Sequence, residues 1–98
     1  MADALRYGII GSGMMGIEHL LNLAHVPGAE VTAIADPHEG SRDWARSAAP
    51  EHVSFQEFEH HGELVESGLC DVVVVATPNM THHELLLDLL PTDLHVLV

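Results

Sequence analysis

The residues best suited to chemistry stand together in one short run, Gly11-Ser12-Gly13-Met14-Met15-Gly16. Glycines spaced G-x-G-x-x-G between a strand and a helix are the pattern that cradles a phosphate. Gly11 permits a tight turn, Gly13 lets the backbone approach a pyrophosphate, and Gly16 lets the following helix pack closely against the sheet. Loop amides, those of Ser12, Met14 and Met15 included, then meet the anion together with the positive helix terminus. Twenty residues beyond Gly16, Asp36 closes a second apolar run. A carboxylate there accepts hydrogen bonds from the ribose 2′- and 3′-hydroxyls and repels a 2′-phosphate, which favours NAD over NADP. Arg42, six residues later, could swing toward a phosphate, so NADP is not excluded. The plainer alternatives are glycines that only make a tight turn, and Asp36 as a turn residue before Pro37.

Charge makes the backbone mechanism more important than usual. Three arginines and no lysine stand against fifteen Asp and Glu, a formal charge of −12. A chain this acidic has to hold an anionic cofactor through dipoles and amides. It also has no electrostatic footprint for nucleic acid or anionic lipid.

The other reactive residues form no constellation. Nine histidines include the pairs His60-His61 and His82-His83. Adjacent helical residues point about 100° apart, so neither pair makes a one-face chelate, and no metal site is expected. The single cysteine, Cys70, excludes an internal disulfide framework and reads as a small buried residue. Glu57, Glu59, Glu63 and Glu66 read as the solvated face of a third helix.

Alternating strand-like runs and helical stripes must position the glycine loop. Leu5 to Ile10 reads as a buried strand. Ile17, Leu20, Leu21 and Ala24 then give a helical stripe broken by Pro27-Gly28. Val31 to Ala35 is a second strand, followed by a helix capped by Ser41 and running through Trp44, Ala45 and Ala48 to Pro50. Val53 to Phe55 reads as a brief third strand, Glu57 to Glu66 as a helix, and Asp71 to Ala76, with four valines, as the clearest strand. Thr81-His82-His83-Glu84 has the form of a capping box. The stripe Leu85, Leu86, Leu89 and Leu90 follows and ends at Pro91, and His95 to Val98 begins a fifth strand. This order implies right-handed βαβ units and a doubly wound parallel sheet covered on both faces. At 98 residues the chain suits one small domain. Its longest apolar run, Val72 to Ala76, is too short to span a bilayer. The start leads directly into a strand with no signal peptide, and a cytoplasmic location is expected.

These residues resemble the N-terminal domain of the Gfo/Idh/MocA oxidoreductases. The glycine loop, Ala35-Asp36 and the segment Val75-Ala76-Thr77-Pro78-Asn79-Met80-Thr81-His82 carry the resemblance, and the last is similar to the family's T-P-N-x-x-H signature. The resemblance implies a Rossmann-type NAD(P)-binding domain, with Thr77, Pro78, Asn79 and His82 beside the ribose and nicotinamide side of the cofactor. His82 is open between that role and a local hydrogen bond at a helix N-terminus. Family members continue after the fifth strand with Glu-Lys-Pro, whose lysine is central to catalysis, and then with a substrate domain. This chain contains neither, so no catalytic residue is assigned, and it reads as cut within its last strand. The intact protein is expected to be a homo-oligomeric oxidoreductase acting on a CH–OH or carbonyl group of a sugar, cyclitol or related small molecule. The alternatives are a non-catalytic nucleotide-binding or sensor module, or a partial polypeptide whose sheet edge pairs with another copy.

Overall fold

The computed structural model describes residues 5–77, 85–89 and 91–97. Within them, β1 (Leu5–Ile10), β2 (Ala29–Ala35), β3 (Gln56–Phe58), β4 (Val72–Val75) and β5 (His95–Leu97) form one sheet in the order β3-β2-β1-β4-β5. Every pairing is parallel. The chain steps outward from β1 through β2 to β3, then crosses back to lay β4 on the other side of β1. That reversal opens a crevice beyond the carboxyl ends of β1 and β4, where open α/β sheets bind ligands.

Alternation along the strands builds a core on each face. On one face α1 (Met14–Leu23) and α2 (Glu39–Ala48) cover Ile9, Val31 and Ile34, with Ile17, Leu20 and Ala45 reaching down to them. On the other, α3 (His61–Glu66) and a helical segment over 85–89 cover Ile10, Ala33, Ala35, Val73 and Val75 through Leu64, Leu85 and Leu89. All four valines of β4 are buried, as a strand sandwiched between two helical layers requires. Ile9, Leu20, Ile34, Leu64, Leu89 and Val73 are each less than 2% exposed, and burial of one such side chain stabilises by about 1.5–3 kcal/mol.

Gly8 lets α3 and Cys70 pack closely on β1. A Cβ there would lie 2.6 Å from Cys70 Sγ and 3.1 Å from Leu64 Cδ2, so its missing side chain makes room for Cys70 beneath β1. Burial pushes the Cys70 thiol up from its ordinary value, consistent with a packing role. At the far end of β1, Arg6 holds Asp71 through Nε and Nη2, at 3.3 and 3.0 Å.

Several expected boundaries move, each for a local reason. The third strand is Gln56–Phe58 rather than Val53 to Phe55. Val53 and Phe55 instead pack under the α1–α2 layer, and the ladder to Ala33, Ile34 and Ala35 is made by the next three residues. Glu57 is therefore a strand residue, half-buried, and its carboxylate accepts from Arg46 Nε at 2.7 Å and Nη2 at 2.9 Å. It is not on a helical face. The third helix begins only at His61, because His60 Nδ1 accepts from the Gly62 amide and Glu63 Oε1 accepts from the His60 amide, a reciprocal cap. The second helix starts at Glu39, two residues before the expected Ser41 cap, with His38 as its N-cap. Of its expected stripe Ala45 is buried, but Trp44 is 49% exposed. In α1, Ile17 and Leu20 are buried and Leu21 is not. The expected Thr81 cap and Leu90 lie outside the described residues. No helix among the described residues is long and apolar enough to cross a membrane.

Candidate functional site

The glycine loop leaves β1 at the sheet's carboxyl edge and is tied down on both sides. The Gly11 amide donates to the Ala35 carbonyl at 2.7 Å, and the Ala76 amide donates to the Ile10 carbonyl at 2.8 Å. The loop therefore starts between the ends of β2 and β4. Gly11 has φ +97°, and a Cβ on it would lie 2.9 Å from the Ala76 carbonyl oxygen. Both its conformation and its surroundings demand glycine. A Cβ on Gly16 would collide with the Gly11 carbonyl oxygen and lie 2.9 Å from its carbon, with Ile9 Cγ2 at 3.5 Å. Gly16 thus docks α1 against the loop's own backbone as well as against the sheet. Gly13 has nothing within 4 Å of its Cβ position and faces open space.

The N-terminus of α1 is left bare. Gly13 caps it with no side-chain hydrogen bond, and no acidic residue stands in the first turn. Its amides and the positive end of the helix macrodipole keep their capacity for an anion. Ser12, 1% exposed, holds a hydroxyl that makes no hydrogen bond among the described residues.

Asp36 closes the site from the side of β2. Its Oδ2 accepts from the Ser12 amide at 2.9 Å and its Oδ1 from the His38 amide at 2.8 Å. The first bond ties the acid to the glycine loop across 24 residues of sequence. The second is an Asx-type turn that bends the chain through Pro37 and starts α2 early. With its side chain 10% exposed, the carboxylate is fixed at the rim of a cleft of about 700 Å³. Gly11, Gly13, Met14, Met15, Asp36, Pro37, His38, Ala76, Thr77 and Leu85 line this cleft. Met14 and Met15, 75% and 63% exposed, give it an apolar wall.

The expected residues thus largely converge. Gly11, Gly13, Met14, Met15, Asp36 and Thr77 share the cleft, with Ser12 and Gly16 directly behind the loop. Arg42 does not join them. Its Nη1 donates to the Asp36 carbonyl at 2.6 Å, its Nε lies 4.0 Å from Glu57 Oε1, and its side chain is 13% exposed, so it braces the turn from behind. Pro78, Asn79 and His82 lie outside the described residues. His38 was missed by sequence reasoning. Its only signal was a position two residues past the acid, where an Asx turn brings it back. Of the paired histidines, His60 caps α3 and His61 Nε2 sits 2.8 Å from Asp88 Oδ2.

A parallel doubly wound sheet, a glycine loop at its switch point and an acid ending β2 together define a dinucleotide-binding domain of the Rossmann type. The bare helix terminus, the glycine-walled cradle and the rim carboxylate suit a dinucleotide's pyrophosphate and ribose. The chain belongs to the Gfo/Idh/MocA family, described as an oxidoreductase family with an NAD-binding Rossmann fold and matched over residues 5–98. It is 32% identical over 98 residues to inositol 2-dehydrogenase of Arthrobacter sp. (strain FB24), covering 99% of this chain and 28% of that protein. The rhizopine catabolism protein MocA of Rhizobium meliloti is 33% identical over 92 residues, 94% of this chain and 27% of that one. Among solved structures, myo-inositol dehydrogenase from Lactobacillus casei, in complex with NAD(H) and myo-inositol, superposes with a TM-score of 0.86 at 27% identity. That match covers 95% of this chain and 27% of the other. The chain therefore spans about a quarter of the length of the relatives it matches, 28% of the first. The family's description is of an NAD-binding fold, and the Lactobacillus casei neighbour is a complex with NAD(H).

Proposed function

We propose that this chain is the cofactor-holding part of an NAD-dependent dehydrogenase whose substrate is a cyclitol, a sugar or a related polyol. The observation that carries the reading is the bond from the Ser12 amide to Asp36, which joins the phosphate loop and the ribose acid into one preformed surface. Gly11 and Gly16 set the path of the loop, and Gly13 keeps its open side clear. The amides of Ser12 to Gly16 and the start of α1 stabilise the pyrophosphate charge. Asp36 accepts from the ribose hydroxyls, with NAD favoured over NADP. Thr77 borders the nicotinamide side, the role that the family resemblance also implies for Pro78, Asn79 and His82. When bound, the nicotinamide accepts or supplies a hydride. This chain's own residues orient it and, through Met14 and Met15, keep water from one wall.

The inositol dehydrogenases among the relatives support a cyclitol or sugar carbon bearing hydroxyl or carbonyl as the reacting group. On this reading residues 1–98 form the N-terminal part of a longer, homo-oligomeric, cytoplasmic protein with a separate substrate domain. The formal charge of −12 argues against nucleic acid as a partner. Titrating the intact protein with NADH while following cofactor fluorescence tests the reading. Saturable binding followed by turnover with polyols is expected. Absence of saturation at about millimolar NADH, a weaker affinity than about −4 kcal/mol, would overturn it. Binding without turnover of any polyol would instead favour a non-catalytic nucleotide module.

A further inference from the structure

The rim of the cleft holds one titratable side chain that this reading does not use. We propose that His38 sets how far the site tolerates a phosphate on the adenosine ribose: uncharged, it leaves Asp36 to repel that phosphate, and charged, it offsets Asp36 and gives the phosphate a cationic partner. The inference rests on the assignment of Asp36 to the ribose.

Geometry puts His38 in the right place. Its Nδ1 lies 3.2 Å from Asp36 Oδ1, on the same oxygen that its own amide holds. Its side chain is nevertheless 81% exposed and lines the cleft beside Asp36 and Gly13. Among the described residues Nε2 makes no hydrogen bond, so one ring nitrogen faces Asp36 and the other is available to a ligand.

Elimination strengthens the case. There is no lysine, and each of the three arginines is committed elsewhere. Arg6 pairs with Asp71 at the amino end of β1, and Arg46 pairs with Asp43 and Glu57. Arg42 is turned onto the Asp36 carbonyl and Glu57. His38 is thus the only described residue lining the cleft that can carry positive charge. The charged groups around it are Asp36 in contact, Glu39 next in sequence, and Arg42 with Glu57 behind the turn. The glycine loop and residues 76–77 present no charged side chain to it.

A ribose phosphate brings about −1.5 to −2 charges to this point. Against a carboxylate alone that is repulsive. A protonated imidazole offsets that repulsion, and lower pH favours the protonated form of any histidine, so the tolerance is expected to be greater at the lower pH. The phosphate itself titrates near pH 6, and the informative quantity is therefore the difference between wild type and variant.

The experiment is calorimetric titration of the intact protein, wild type, His38→Ala and His38→Gln, with NADPH and NADH at about pH 6 and pH 8. His38→Gln keeps a hydrogen-bonding group without the charge, and a thermal melt of each variant reports its folding. Both variants are expected to lower the NADPH-to-NADH affinity ratio by about fivefold or more near pH 6, and by less than about twofold near pH 8. A ratio unchanged at both pH values overturns the proposal, and so does an equal change at both, which would mark a purely structural role. NADH that fails to bind wild type at all would instead overturn the site assignment itself, and this inference with it.

Discussion

Gly16→Ala places one methyl group where the loop and α1 touch, and its consequences can be worked from the structure. The added Cβ meets the Gly11 carbonyl oxygen and lies 2.9 Å from the Gly11 carbonyl carbon. The obstacle is main chain held by a 2.7 Å hydrogen bond to β2, so it cannot rotate away as a side-chain tip would. Overpacking costs about 1–3 kcal/mol, and a rigid backbone obstacle argues for the upper end. Alanine recovers about 1 kcal/mol of helix propensity over glycine. The net loss is about 2 kcal/mol, or about 4–8 °C in melting temperature at ~2–4 °C per kcal/mol. Relief requires α1 to move off the loop, which misaligns the amides proposed to meet the pyrophosphate, and NADH affinity is expected to fall by about tenfold or more. Gly13→Ala is the matched control, since its Cβ enters open space. It should melt within about 1–3 °C of wild type, allowing for a weaker N-cap, yet bind NADH less well because the methyl projects into the cleft. Differential scanning calorimetry and NADH titration of the intact protein give both readouts. A Gly16→Ala protein that melts and binds as wild type would refute the argument.

Three further outcomes are expected. Asp36→Ser removes the carboxylate proposed for the ribose and the acceptor for two amides, so NADH should bind about 10- to 100-fold more weakly while the NADPH-to-NADH affinity ratio rises; an unchanged ratio in fluorescence titrations would remove Asp36 from the ribose. Gly8→Ala should destabilise by about 1–3 kcal/mol in urea denaturation, through contact with Cys70 Sγ and Leu64 Cδ2. Adding Cys70→Ala should make the pair less damaging than the sum of the singles, whereas strict additivity would count against that contact. Lastly, the Arg6 hydrogen bonds hold the Asp71 carboxyl below the ordinary carboxylate range, and Arg46 does the same for Glu57. In both cases the unfolded chain takes up protons first, so the stabilisation is complete above the unfolded values of about 4 and is lost as pH falls through the lower folded ones. Asp71→Asn should flatten the fall of melting temperature below about pH 4, and an undiminished slope would exclude this pair as a source.

Much of the site could be read from the chain because its parts are local. A glycine loop between β1 and α1 depends on residues within one turn of each other, and G-x-G-x-x-G states that geometry directly. The valines of β4 and the run into Asp36 were legible for the same reason, since strands buried on both faces are continuously apolar. Where the outcome turned on partners far away in sequence, the pattern misled. Val53-Ser54-Phe55 looks like a strand, but the ladder to β2 is made by Gln56–Phe58. Glu57 looked solvated because nothing nearby in sequence shows Arg46 reaching across eleven residues to it.

By itself, then, the sequence determined the alternation of elements, the glycine loop and the acid that closes β2, because each follows from short-range sterics and periodicity. Tertiary structure alone decided that Asp36 is bonded to the Ser12 amide, that Arg42 braces the turn instead of facing a phosphate, and that His38 returns to the cleft. The first depends on where β2 ends relative to β1 in the sheet, and the other two on a local turn being set against that same sheet edge. That register is set by packing across both faces at once, which no short stretch of sequence contains.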